Sequence, residues 1–168
     1  MKVEIIDATI EFKPVIKNLY PLYLHDLSEF VSDIDVSDLG LFNAEVSNLF
    51  WQKDALFPFL VKANGKLAGF TLIASPPYTS KETDYMINEF FIIRKYRRKG
   101  IGRLAAFEVF NKFRGKWEVS ELPKNLPAQL FWHKVIGEYT SGRYETLNNG
   151  TKQRFINTDL HWHILEKQ

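Results

Sequence analysis

Residues 87–113 read INEFFIIRKYRRKGIGRLAAFEVFNKF, and the fold turns on this stretch. It has three parts in a fixed order. Residues 87–93 are an apolar run rich in Ile and Phe. Residues 94–102 are a basic turn punctuated by Gly100 and Gly102. Residues 103–113 are amphipathic, with Leu104, Phe107 and Phe110 at helical spacing as a core stripe. The pattern predicts a strand, an anion-binding loop and a helix. The start of a helix carries backbone N–H groups without intrahelical partners and the positive end of the peptide dipoles. Glycine lets a ligand approach that backbone closely, and Arg97, Arg98, Lys99 and Arg103 add full charges. Such a cradle suits a phosphate or pyrophosphate.

Working outward, 168 residues fit one domain over 1–168, and 45% apolar residues can fill a core. A net charge of +2 makes any basic function local. The absence of cysteine excludes disulfides, thiolate metal sites and cysteine nucleophiles. No apolar run has the length of a membrane span, and MKVEIIDAT does not read as a signal peptide. The expectation is a soluble cytoplasmic protein that does not enter membranes.

Upstream of the central stretch, residues 2–8 read as a strand and residues 9–30 as a helix, with a kink or break at Pro21. Residues 31–40 are an acidic loop, and 42–52 a short helix. Runs 57–63 and 67–75 flank Asn64-Gly65, a hairpin signal. Pro76-Pro77 ends the second run, and 83–93 returns as a strand. Downstream, 117–120 alternates like a strand, 128–136 is a short helix ending at Gly137, and 139–145 and 154–164 read as closing strands. The sum is an α/β sandwich with a mixed sheet and helices on both faces.

Two familiar phosphate cradles fit the turn poorly. A dinucleotide fingerprint would use Ala105 and Glu121, but it belongs to parallel βαβ units, and a hairpin precedes this turn. A P-loop needs Gly-Lys-Ser/Thr, which is absent. What remains is Arg97-x-x-Gly100-x-Gly102 after a strand and Tyr96. This resembles motif A of the GNAT superfamily of acetyl-coenzyme A-dependent N-acetyltransferases. A second resemblance follows in Asn125-x-x-Ala128-x-x-Phe131-Trp132-x-Lys134, with Gly137 one residue later than usual.

The resemblance implies a GNAT-like, mostly antiparallel central sheet with splayed middle strands, formed by 87–93 and 117–120. It implies acetyl-coenzyme A as cosubstrate. The backbone of Phe91 and Ile92 would pair with its pantetheine arm. Arg97, Arg98, Lys99, Gly100, Ile101, Gly102 and Arg103 would hold the pyrophosphate, with Asn125 and Trp132 on the other wall. The Ile92 N–H would donate to the reaction's oxyanion. Glu89 is the candidate general base, because an ammonium must lose a proton before its nitrogen attacks a thioester. Glu118 and Glu121 are alternatives. Trp132 stands where the family commonly has a proton-donating tyrosine; indole donates a hydrogen bond but keeps its proton at neutral pH. His133 and Tyr139 are nearby and read as packing or surface.

The implied activity is transfer of acetyl to an amine by direct attack in a ternary complex, the acceptor being a small molecule or a peptide. Residues 31–52 correspond to the family's acceptor wall. The alternative is a coenzyme A- or acyl-coenzyme A-binding sensor without turnover. Nucleic-acid binding through the basic turn and Tyr96 ranks last, and a homodimer is open. His161 and His163 share a strand face but lack an evident third ligand, so no metal is expected.

Overall fold

Asn64 and Gly65 both adopt positive φ, 48° and 76°. They turn the chain between strands β2 (Leu56–Ala63) and β3 (Lys66–Ala74) as Asn-Gly hairpins do. The protein is represented by a computed structural model that describes residues 1–158. Around the hairpin lie β1 (Val3–Asp7), β4 (Tyr85–Ile92), β5 (Lys116–Ser120), β6 (Glu145–Leu147) and β7 (Lys152–Ile156). Helices α1 (Lys13–Leu27), α2 (Ile101–Lys112) and α3 (Leu126–Thr140) complete the regular structure. The strands form one sheet in the order β1-β2-β3-β4-β5-β7-β6.

Every neighbouring pair in the sheet is antiparallel except β4 and β5. That parallel pair holds together over a short register: Tyr85↔Trp117, Met86↔Glu118 and Ile87↔Val119. Beyond it, β4 runs on through 88–92 without β5, while β5 stays on β7 as far as Ser120↔Lys152. The two middle strands therefore separate toward their C-terminal ends, as expected.

Two apolar layers clothe the sheet. One packs α2 and α3 against Phe59, Val61, Ile87, Ile92, Trp117 and Phe155. The other packs Ile16, Leu19, Tyr20 and Leu24 of α1 against Leu60, Phe70, Leu72 and Phe91. Phe70 and Leu72 are fully buried, each contributing roughly 2–3 kcal/mol by removal from water. In α2 the expected core stripe holds for Phe107 and Phe110, while Leu104 is half-buried.

Three elements differ from the sequence reading. Helix α1 continues through Pro21, whose exposed ring costs the helix one backbone bond without ending it. Residues 42–52 form only a 3₁₀ turn, Asn48–Trp51, capped by the Ser47 side chain; Trp51 Nε1 donates to the Ala8 carbonyl at 2.8 Å. Phe50 and Val46 are buried from this irregular backbone, so their spacing reports burial, not helix. Finally, α3 passes Gly137 and ends at Ser141, whose φ is 53°; Gly142 N–H then bonds the Gly137 carbonyl at 2.8 Å. Tyr139 therefore belongs to a helix, and the closing strand expected over 139–145 begins only at Glu145. His161, His163 and the distal part of the last expected strand lie outside the described residues.

Candidate active site

The glycine turn lies between β4 and α2. Gly100 caps α2 at φ 77°, a conformation in which a side chain is strained, and Arg98 also takes positive φ, 58°. The first bond of the helix runs from Leu104 N–H to the Gly100 carbonyl at 3.0 Å. The N–H groups of Ile101, Gly102 and Arg103 thus have no intrahelical acceptor. Arg98, Lys99 and Gly100 likewise donate no backbone hydrogen bond among the described residues. A Cβ on Gly100 would meet nothing nearer than Met1 Cε at 3.7 Å, whereas one on Gly102 would press on the Phe131 ring at 3.2 Å. Gly100 therefore leaves open space, and Gly102 lets α2 close on α3.

The basic side chains divide by task. Arg97 bridges the Asp26 carboxylate and, through Nε, the Ile92 carbonyl at 2.6 Å. Arg94 holds the other Asp26 oxygen at 2.7 Å. Burial alone would raise the Asp26 carboxyl, but the two guanidiniums outweigh it and hold it below its usual value. Arg103 reaches Glu138 at 3.4 Å. Arg98 and Lys99 are exposed and carry no ion pair among the described residues. Arg98 and Lys99 are therefore free to meet an anion, Lys95 lies 5.8 Å from the Tyr96 ring centre, and Arg97 fixes the turn to the end of α1.

Strand β4 contains a bulge. Leu72 pairs with Glu89 and Ile73 with Ile87, so Asn88 is the extra residue. The bulge resets the alternation of faces. Phe90 and Ile92 face α3 and α2, with Phe90 edge-on to Trp132 at 5.0 Å. Glu89 and Phe91 face α1. The bond from Ile93 N–H to the Ala68 carbonyl sets which backbone groups point to β3. By that alternation Phe91 is bonded within the sheet, and the N–H groups of Phe90 and Ile92 point into the gap beside β5.

Glu89 accepts a hydrogen bond from Tyr20 at 2.9 Å through Oε1, while its Oε2 is buried without a partner. Burial pushes its carboxyl up to about 7, against a lowering contribution from the Tyr20 bond. Burial, with the Glu89 charge nearby, raises both Tyr20 and Tyr23 far above the usual phenol value, so they are neutral donors. Sequence reasoning names Glu89 as the candidate base but does not join it to Tyr20 and Tyr23, does not join Asp26 to Arg94 and Arg97, and does not see the bulge at Asn88. Their partners lie far along the chain, and no local pattern marks them.

The alternatives fare differently. Glu118 is held by Lys152 at 2.8 Å and Arg154 at 2.9 Å. Burial would raise it, but these cations keep it below its usual value, which suits a structural ion pair. Glu121 lies just past β5, with Oε2 accepting from Gln153 at 3.2 Å and Oε1 buried without a partner; burial raises it to about 7. His133 is bonded to Tyr144 at 3.1 Å and to the Gly150 carbonyl at 2.8 Å, and Tyr139 to Asn111 at 3.0 Å, both in packing roles. Asn125 caps α3, accepting from Ala128 N–H at 3.1 Å. Trp132 is buried between Phe90, Phe131 and Phe110, and its indole N–H has no partner among the described residues.

The donors at the start of α2 follow directly on the outward edge of β4, where β4 and β5 part. A family model for the acetyltransferase (GNAT) family matches residues 17–137, from within α1 to the last turn of α3. The chain belongs to the GNAT acetyltransferase family. As a member it is an acyltransferase. Curated protein sequences give no match to this GNAT chain. Solved structures do share its fold. A GNAT-family acetyltransferase of Staphylococcus aureus Mu50 matches with a TM-score of 0.59 at 12% identity, over 92% of this chain and 99% of that one. An acetyltransferase of Thermus thermophilus matches at 0.56 and 16%, over 94% and 97%. The aminoglycoside acetyltransferase AAC(6')-Ib, in complex with coenzyme A and kanamycin, matches at 0.59 and 14%, over 93% and 95%. Among the described residues of this GNAT protein, no helix is long and apolar enough to cross a membrane.

Proposed function

We propose that the protein transfers the acetyl group of acetyl-coenzyme A to an amine by direct attack in a ternary complex. The observation that carries this reading is the placement of two different groups on one strand. Ile92 turns an unpaired backbone N–H into the β4–β5 gap, and Glu89, three residues earlier, turns a buried carboxyl to the α1 face. The chain's groups fit the cosubstrate: unpaired N–H groups from Arg98 to Arg103, with the Arg98 and Lys99 side chains, suit its pyrophosphate. The outward N–H groups of Phe90 and Ile92 suit an extended amide-bearing arm.

Acetyl-coenzyme A, when bound, supplies an acetyl thioester open to attack by a neutral amine. Glu89 accepts the proton that an ammonium acceptor must lose, directly or through a water. With its carboxyl near 7, both protonation states are populated at neutral pH, so it can take and release that proton. Tyr20 holds one oxygen of Glu89, and Oε2 is left buried and unpaired. The Ile92 N–H donates where negative charge gathers on the acyl oxygen. Trp132, buried beside Phe90, could donate a hydrogen bond through its indole N–H but not a proton at neutral pH.

The test is release of coenzyme A thiol from acetyl-coenzyme A with a broad panel of amines, beside calorimetry of acetyl-coenzyme A binding. Binding with turnover on at least one amine is expected. Binding with no turnover on any amine would favour the sensor reading, and no binding would remove both.

A further inference from the structure

From Asn18 to Gln52 the chain has no lysine or arginine, yet it holds Asp26, Glu29, Asp33, Asp35, Asp38 and Glu45. The remainder of a chain of net charge +2 is correspondingly basic, with Arg94, Lys95, Arg97, Arg98, Lys99 and Arg103 gathered at the glycine turn. Asp26 is paired with Arg94 and Arg97, and Glu45 with Lys17, which leaves Glu29, Asp33, Asp35 and Asp38 as the acidic residues of this stretch without a cationic partner among the described residues.

That segment also exposes apolar side chains. Leu39 is 84% exposed, Leu41 65% and Val36 48%. Their exposure belongs to a built structure. Val36 and Phe42 form an antiparallel bridge, Ser37 N–H bonds the Leu41 carbonyl at 2.9 Å, and Gly40 N–H bonds the Ser37 carbonyl at 2.8 Å. Asn43 ties the base of this tip by donating to the Asp33 carbonyl at 2.8 Å. The base is anchored: Ile34 and Phe42 pack on the cluster that contains Tyr20, Phe70 and Phe91, beside Glu89. Around the tip, Asp33, Asp35 and Asp38 are exposed and have no cationic partner among the described residues. Clustered exposed leucines on an ordered tip cost solubility unless something covers them, and a rim of unpaired carboxylates selects the sign of what does.

We propose that residues 31–47 are the docking surface for a basic, leucine-bearing peptide segment of a partner protein, whose lysine is the acetyl acceptor. This rests on the acetyltransferase reading and adds the class of acceptor. The occupant follows from complementarity. Apolar side chains of the peptide cover Leu39 and Leu41, its cations meet Asp33, Asp35 and Asp38, and one further lysine is the acceptor. A small polyamine would satisfy the carboxylates and leave the leucines bare.

The experiment uses the full chain and three fluorescein-labelled peptides blocked at both ends: alternating lysine and leucine, alternating lysine and serine, and alternating glutamate and leucine. Anisotropy titrations run at low and high salt, with spermidine as a competitor, and acetylation is followed by mass spectrometry. The lysine–leucine peptide is expected to bind best and to be acetylated. Its affinity should fall with salt, and by about tenfold in the Leu39→Ser/Leu41→Ser double variant, since each loses an apolar contact. Acetyl-coenzyme A calorimetry of the same variant should be unchanged. The proposal is overturned if the lysine–serine peptide binds equally well, if the double variant binds as the native chain does, or if spermidine is the better acceptor. A dimer abolished by Leu39→Ser would overturn it too, by making a second copy the occupant. Retained acetyl-coenzyme A binding in these cases leaves the acetyltransferase reading standing; lost binding removes that reading instead.

Discussion

Tyr20 Oη lies 2.9 Å from Glu89 Oε1, joining α1 to β4 across 69 residues of sequence. The bond leaves Glu89 Oε2 buried and unpaired. It also lowers the Glu89 carboxyl, against burial, which raises it to about 7.

Replacing Tyr20 by Phe removes the hydrogen bond that opposes burial at Glu89. The acid limb of the pH–rate profile should therefore move to higher pH in Tyr20→Phe. At neutral pH less Glu89 is ionised, and the rate should fall by about threefold. Steady-state kinetics from about pH 5.5 to 9 with one amine would read this; an unmoved limb would uncouple Tyr20 from the base.

Glu89→Gln should lose the acid limb near pH 7 altogether and slow the reaction by about a hundredfold or more. The same change bears on stability. The Glu89 pKa is raised in the fold, so its contribution is fully present below the unfolded value near 4.5. It is lost as pH rises through about 7. The native chain should therefore lose stability relative to Glu89→Gln between about pH 5 and 8, by roughly 1–3 kcal/mol. Thermal melts of both proteins at the two pH values check the sign; equal differences at both would contradict it.

Asp26 ties Arg94 and Arg97 to the end of α1, and Arg97 in turn holds the Ile92 carbonyl. Asp26→Ala should loosen the glycine turn, costing about 1 kcal/mol in stability for a partly exposed ion pair. It should also weaken acetyl-coenzyme A binding. Calorimetry of the single variants and of Asp26→Ala/Arg97→Gln would show non-additive losses if the pair acts as one unit.

The central stretch was legible because its signals are local. An apolar run, Gly100 and a helical stripe need no distant partner to be read, and Asn64-Gly65 marks its own hairpin. Gly100 and Gly102 look equivalent in sequence, yet one leaves open space and the other accommodates Phe131 of α3. Gly137 was read as a helix end because glycine often stops helices, but Ser141 and Gly142 supply the cap. The bulge at Asn88 was illegible, since it is a mismatch with β3, not a property of β4 alone. The resemblance implies Phe91 and Ile92 together as outward backbone partners, but adjacent strand residues turn opposite ways, and here Phe90 and Ile92 turn away from β3.

We propose that the unpaired donors from Arg98 to Arg103 hold the pyrophosphate of acetyl-coenzyme A. Arg98 and Lys99 are exposed and have no ion pair among the described residues, so reversing them should leave the fold intact. The measurement is calorimetric titration of acetyl-coenzyme A into the native chain and into Arg98→Glu/Lys99→Glu. The account predicts one site per chain, weakened by about tenfold or more in the double reversal. No binding to the native chain, or equal affinity in both proteins, would contradict it.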